Sequence, residues 1–230
     1  MIKEIVTDES LLAERCDEID IRKDNELMRE IILSLKETLR EHKTGVGLAA
    51  PQIGYNKRIF VINFNGDLRT FINPVISEAN NLTLNREGCL SLPGKEYIRP
   101  RHSKITVMYQ TPLGKIESRQ MFGLAAFVFQ HELDHLDGLL ISDIGLEVDK
   151  AFDEATEEER DKVIQAYLDS LDIKQKQLSK EIEEDPELKQ QADAIKFMES
   201  VQKGETVLGE GVTKTGKANI VEEKEEGNKE

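Results

Sequence analysis

Gln130-His131-Glu132-Leu133-Asp134-His135-Leu136-Asp137-Gly138 sets two histidines four residues apart, with a glutamate directly after the first. In a helix, residues i and i+4 stand one above the other on a single face, so this spacing aims both imidazoles at one point. Such a pair with its glutamate is a pattern of metal-assisted hydrolysis, the glutamate serving as general base. The run before it, Phe122-Gly123-Leu124-Ala125-Ala126-Phe127-Val128-Phe129, is apolar on nearly every side, which predicts a helix threaded through a domain interior. The plainer alternative is an ordinary helix with two histidines and surface carboxylates. Against it, the chain has only 4 His and two of them fall at ligand spacing.

The 230 residues, 38% of them hydrophobic, suffice for one sizeable core but are thin for two. One catalytic domain with an appendage is expected. No apolar run is long enough to span a bilayer, and Met1 to Ser10 carries acids rather than a basic segment followed by an apolar one. A cytoplasmic protein without membrane association is therefore expected. Two cysteines, Cys16 and Cys89, make no disulfide framework. The net charge of −14 argues against a nucleic-acid-binding surface, but it is unevenly spread. Residues 1–146 hold 21 acids against 18 bases; residues 147–230 hold 24 against 13. The expected division is a catalytic domain over 1–146, an acidic helical extension over 147–203 and a disordered tail over 204–230.

Upstream, Leu27, Ile31, Leu35 and Leu39 recur at four-residue steps and predict an amphipathic helix from Asp24 to His42, with Asp24 as its N-cap. His42 is expected to complement the helix dipole rather than bind a ligand. The segment Thr44-Gly45-Val46-Gly47-Leu48-Ala49-Ala50-Pro51-Gln52-Ile53-Gly54 is dense in small residues, as suits backbone that bends tightly or approaches something closely. It lacks the Gly-Lys-Ser/Thr ending of a phosphate loop. Within it, the Gln52 amide can donate a hydrogen bond to charge developing on an oxygen.

Arg58 to Phe64 and Leu68 to Ile72 read as a strand pair around Gly66-Asp67, with further extended chain to Ala79 and a turn at Asn80-Asn81. Glu87-Gly88-Cys89-Leu90-Ser91 follows; Cys89 reads either as a buried apolar residue or as a thiolate aimed from a constrained backbone. A hairpin from Ile105 to Met121 then feeds into the histidine helix. Helix, strands, then helix predict an α+β domain with mostly antiparallel sheet around a central metal-binding helix. After Gly145, Thr156 caps a long helical stretch, and a second runs from Glu187 to Lys203.

A catalytic metal site keeps three protein ligands and one open position. Metzincin proteases place a third histidine six residues after the second, where this chain has Ile141. A protease with a carboxylate third ligand would draw on Glu147 or Asp149. Taken together, Gly45-Val46-Gly47-Leu48-Ala49-Ala50-Pro51-Gln52, Glu87-Gly88-Cys89-Leu90-Ser91 and Gln130-His131-Glu132-Leu133-Asp134-His135 resemble the three signature blocks of the peptide deformylase family, in that family's order. The resemblance covers about Ile2 to Asp143.

The resemblance implies that Cys89, His131 and His135 bind one divalent ion, with Fe²⁺ the natural metal and Zn²⁺, Ni²⁺ or Co²⁺ as substitutes. It implies Glu132 as general acid and base, and Gln52 with the Leu90 backbone N–H as oxyanion donors. Val46 and Gly47 would line the substrate cleft. The implied substrates are N-formylmethionyl nascent peptides, deformylated to formate during transient ribosome association. The acidic extension departs from the family's pattern and would be repelled by ribosomal RNA. A deformylase-like binding module is the other reading, although no member of the catalytic set is missing.

Overall fold

The computed structural model describes residues 1–184, with side chains placed through residue 171. Contacts gather the chain into a unit Met1–Tyr167 and a second unit Leu168–Glu230. The expected helix from Glu187 to Lys203 and the expected disordered tail lie outside the described residues.

Six strands form one sheet: β1 (Gly47–Ala49), β2 (Ile59–Phe64), β3 (Asp67–Cys89), β4 (Leu92–Gln110), β5 (Ile116–Phe122) and β6 (Leu146–Val148). Their order is β1-β2-β3-β4-β5, with β6 added to β4, and every pairing is antiparallel. Strand β2 shows why the sheet sits where it does. Phe60 and Ile62 enter one apolar cluster while Ile59 and Val61 enter another, so both faces are buried and the strand is apolar at each step.

The short α1 (Glu9–Leu12) precedes α2 (Asn25–Glu41), which packs on one face of β2 through Met28, Ile31, Leu35 and Leu39. Asp24 stands at the N-cap position, but its side chain makes no cap hydrogen bond. The preceding chain is itself a turn, in which the Asp24 N–H reaches the Asp20 carbonyl at 2.8 Å and the Asp24 carboxylate accepts from the Asp20 N–H.

Against the opposite face lies α3 (Leu124–Leu136), the histidine helix. Its Phe129 meets Phe60 and Phe71 edge-on, with centroids 5.0 and 5.3 Å away; truncating such a ring costs about 3–5 kcal/mol. Gln130 completes the docking. Its amide accepts from the His102 N–H at 3.0 Å and donates to the His102 carbonyl at 2.7 Å, pairing with the backbone of β4 as a neighbouring strand would. At the far end, Arg58 donates to the Leu136 carbonyl at 3.2 Å and to Asp137 at 2.6 Å. The helix is thus fixed to the sheet at its middle and at its C-terminal end.

One expectation requires correction. Asn80-Asn81 does not reverse the chain: β3 runs through it, because Asn80 and Leu82 keep their register with Lys104 and His102 while Asn81 alone takes φ 58°. Within Thr44 to Gly54, Gly47–Ala49 pairs with β2 before a 3₁₀ turn at Ala50–Ile53.

The chain next forms α4 (Ile141–Ile144), β6, α5 (Lys150–Glu154) and α6 (Glu157–Glu184). Thr156 caps α6 as expected, its hydroxyl accepting from the Glu159 N–H while Glu159 accepts from the Thr156 N–H. Although composition changes at Gly145, pairing of β6 with Glu96 to Ile98 continues the sheet beyond it. Tyr167 donates to the Ile144 carbonyl at 2.5 Å. No described helix is long and apolar enough to cross a membrane.

Candidate metal centre

Three elements converge on one point. Strand β3 ends at Cys89, paired with Leu92 across the tight Leu90-Ser91 turn, and helical spacing on α3 brings His131 and His135 to the same place. The Cys89 Sγ lies 3.3 Å from His135 Nε2, and the ligand atoms of Cys89, His131 and His135 all fall within 4.8 Å of one another. The two rings are 5.0 Å apart and nearly perpendicular.

This donor set suits a divalent transition metal. One thiol and two imidazoles are the borderline-soft ligands of catalytic zinc and iron sites. The third observation is the company of His131: its Nδ1 faces Glu87 Oε2 at 2.9 Å, which leaves Nε2 for the convergence point. A carboxylate behind a ligating histidine fixes its tautomer and ring orientation.

The charge balance within the cluster is unequal. Burial alone would push His131 down, but hydrogen bonds with Cys89 and Glu87 outweigh it and raise the imidazole to about 10. His135 moves well below the ordinary histidine range, through burial and then the positive charge of His131. Burial opposes ionisation of Glu87 too, yet Arg101 and His131 hold it far below the usual carboxylate range.

Glu132 is 3% exposed and stands against β1. A Cβ added at Gly47 would meet its Oε1 at 2.3 Å, so only glycine leaves room for the carboxyl. Burial raises Glu132 to about 7, and its Oε2 has no hydrogen-bond partner. Such a group changes protonation near neutrality. Gln52 is held from behind, its Oε1 accepting from the Ala49 N–H at 2.9 Å. Its Nε2 is thereby turned towards Cys89 Sγ at 3.6 Å and Ser91 Oγ at 3.3 Å.

A cleft of about 830 Å³ opens here, and Val46, Gly47, Gln52, Cys89, Leu90 and Glu132 line it. The sequence-derived site residues therefore occupy one concavity, with His135 buried behind Cys89. Residues weighed for other roles stand outside the Cys89-His131-His135 group. Glu147 pairs with Lys95 at 3.4 Å and Asp149 caps α5, so neither supplies a carboxylate ligand. Ile141 packs with Cys89, Leu92 and Tyr97. His42 ends α2.

Sequence reasoning gave no role to Glu87, Arg101 or Asp134. Glu87 could have been found, because in a strand residues i and i+2 share a face and Cys89 is two residues on. The arginine has no such local signal.

An α+β hydrolase with a thiol-diimidazole centre and a buried glutamate is the class that this arrangement defines. A family model described as polypeptide deformylase matches residues 2–150. Over 127 residues the chain is 39% identical to the peptide deformylase of Dictyoglomus turgidum, covering 55% of this chain and 82% of that protein. Against the peptide deformylase of Thermotoga maritima it is 41% identical over 124 residues, covering 54% and 75%. The crystal structure of the Thermotoga maritima enzyme superposes with a TM-score of 0.58 at 36% identity, over 62% of this chain and 97% of that one. A peptide deformylase from Synechococcus elongatus in complex with actinonin gives 0.57 at 33% identity, over 62% and 77%. The chain belongs to the peptide deformylase family, and its fold and enzyme class are those of a deformylase.

Proposed function

We propose that this chain removes the formyl group from the N-terminal formylmethionine of newly made polypeptides, releasing formate, with Cys89, His131 and His135 holding one Fe²⁺. The observation that carries the reading is the convergence of those three donors beside the buried carboxyl of Glu132. When bound, a divalent ion supplies Lewis acidity and makes hydroxide available at neutral pH. Glu132 takes the proton released from water and delivers it to the departing amine, a task suited to a carboxyl that titrates near 7. Gln52 Nε2 and the Leu90 N–H donate to the formyl oxygen as it becomes negative. The peptide lies extended beside Val46 and Gly47, where main-chain hydrogen bonds give affinity that is indifferent to downstream sequence.

Iron is the preferred ion, and zinc, nickel or cobalt would fill the same donor set. The site of action is the cytoplasm, on chains leaving the ribosome; the net acidity of residues 147–230 disfavours docking on ribosomal RNA through them. The catalytic domain is proposed to begin at residue 1 and to include the metal helix, and the acidic extension to be dispensable for chemistry. Formate release from a formyl-methionyl peptide tests the function. It should stop on chelation and return with Fe²⁺; release that is indifferent to chelation would refute the metal-centred reading.

A further inference from the structure

Arg101, on β4, is 3% exposed and joins the two halves of the candidate centre. Its Nε donates to Glu87 Oε1 at 2.7 Å and its Nη2 to Glu87 Oε2 at 2.8 Å, a two-bond fork. Its Nη1 donates to Asp134 Oδ2 at 2.5 Å. Glu87 stands two residues before Cys89 on β3 and faces His131 Nδ1. Asp134 stands on α3 between His131 and His135, and Arg99 also binds it. One planar guanidinium therefore connects the strand that carries the thiol with the helix that carries both imidazoles.

Stability alone is a poor reason for this arrangement. Removing several charges from water costs several kcal/mol for each ion, and apolar side chains of similar volume often serve a fold as well or better. A guanidinium has a fixed donor geometry that apolar packing cannot supply.

We infer that Arg101 is a positioning residue of the metal centre, fixing the His131 ring through Glu87 and the placement of α3 beside Cys89 through Asp134. The inference rests on the reading that Cys89, His131 and His135 hold a metal. Loss of a partner behind a ligating histidine typically weakens metal affinity about 10–100-fold. Lysine cannot replace the arginine, because a single ammonium lacks the fork that reaches both Glu87 oxygens and Asp134 together.

The full-length protein, stripped and reloaded with Co²⁺, provides two readouts: affinity by competition with a chromophoric chelator, and the visible absorption of bound cobalt. Arg101→Met and Arg101→Lys should each lower affinity about 10–100-fold and shift the cobalt bands. Glu87→Gln should do the same, and Arg101→Met combined with Glu87→Gln should fall clearly short of additivity, since one side chain acts through the other. Full additivity, or a lower melting temperature with affinity and spectrum unchanged, would overturn the inference. Should the Arg101 variants not fold, the near-isosteric Asp134→Asn carries the test: a shifted spectrum supports the role and an unshifted one refutes it. Wild-type protein that binds no Co²⁺ would instead overturn the metal-centre reading, and this inference with it.

Discussion

Gly47 and Glu132 occupy one shared space: a Cβ on the glycine would lie 2.3 Å from Oε1 of the glutamate, 2.8 Å from its Cδ and 2.9 Å from its Cγ. The first strand of the sheet is thus the wall that sets where the proposed catalytic carboxyl stands. Gly47→Ala must displace either β1 or Glu132. Overpacking of this kind costs about 1–3 kcal/mol of stability, and misplacing a reacting group by about 1 Å can cost roughly 100-fold in rate. We expect kcat to fall at least tenfold while the metal content stays at the wild-type level, measured by steady-state kinetics beside elemental analysis.

Gln52→Ala removes one proposed oxyanion donor and should lower kcat by about 100- to 1,000-fold with little change in KM, because the lost bond strengthens mainly in the transition state. The same side chain accepts from the Ala49 N–H, so a modest loss of stability should accompany it. A rise in KM at constant kcat would mean that Gln52 only binds the ground state.

With Cys89 as a thiolate ligand, as proposed, an iron-loaded centre would be vulnerable to oxygen. Activity of iron-loaded protein kept in air should decay faster than that of nickel- or cobalt-loaded protein. Equal decay rates would count against iron as the working ion.

Cys16 is the other thiol, 5% exposed in the cluster beneath α3. Burial is the chief cause that raises its pKa from 9.0 to about 11, with the Arg58 charge pulling the other way. Because the folded pKa lies above the unfolded one, this group's contribution to stability is intact below pH 9 and is lost between pH 9 and about 11. Iodoacetamide at pH 8 should leave Cys16 unmodified in the native protein and label it after unfolding, as peptide mass mapping would report.

The metal helix was legible because its signal is local: a 3.6-residue period brings His131 and His135 together with no tertiary information. Cys89 and Gln52 carried weaker local signals, a thiol and an amide on constrained backbone, and joined one site only as members of signature blocks. Their convergence depends on β4 and β5 returning the chain across the 46-residue separation of Cys89 and His135. Arg101 was invisible for the same reason, since a basic residue in a strand reads as a solvated one until the fold buries it against Glu87 and Asp134. Asn80-Asn81 misled because asparagine tolerates both turns and left-handed conformations, and the long β4 pairing decided between them. Among the described residues beyond Gly145, the acids from Glu147 to Asp169 face solvent, while Val148 on β6 is buried and pairs with Glu96.

Formate release from formyl-Met-Ala-Ser by the metal-loaded protein, beside Glu132→Ala loaded to the same metal content, tests the central claim most directly. The wild type should turn over and the variant should lose at least about 100-fold in kcat, the usual lower range for removing a positioned acid–base group. No formate from the intact loaded protein, or equal rates from the two, would contradict it.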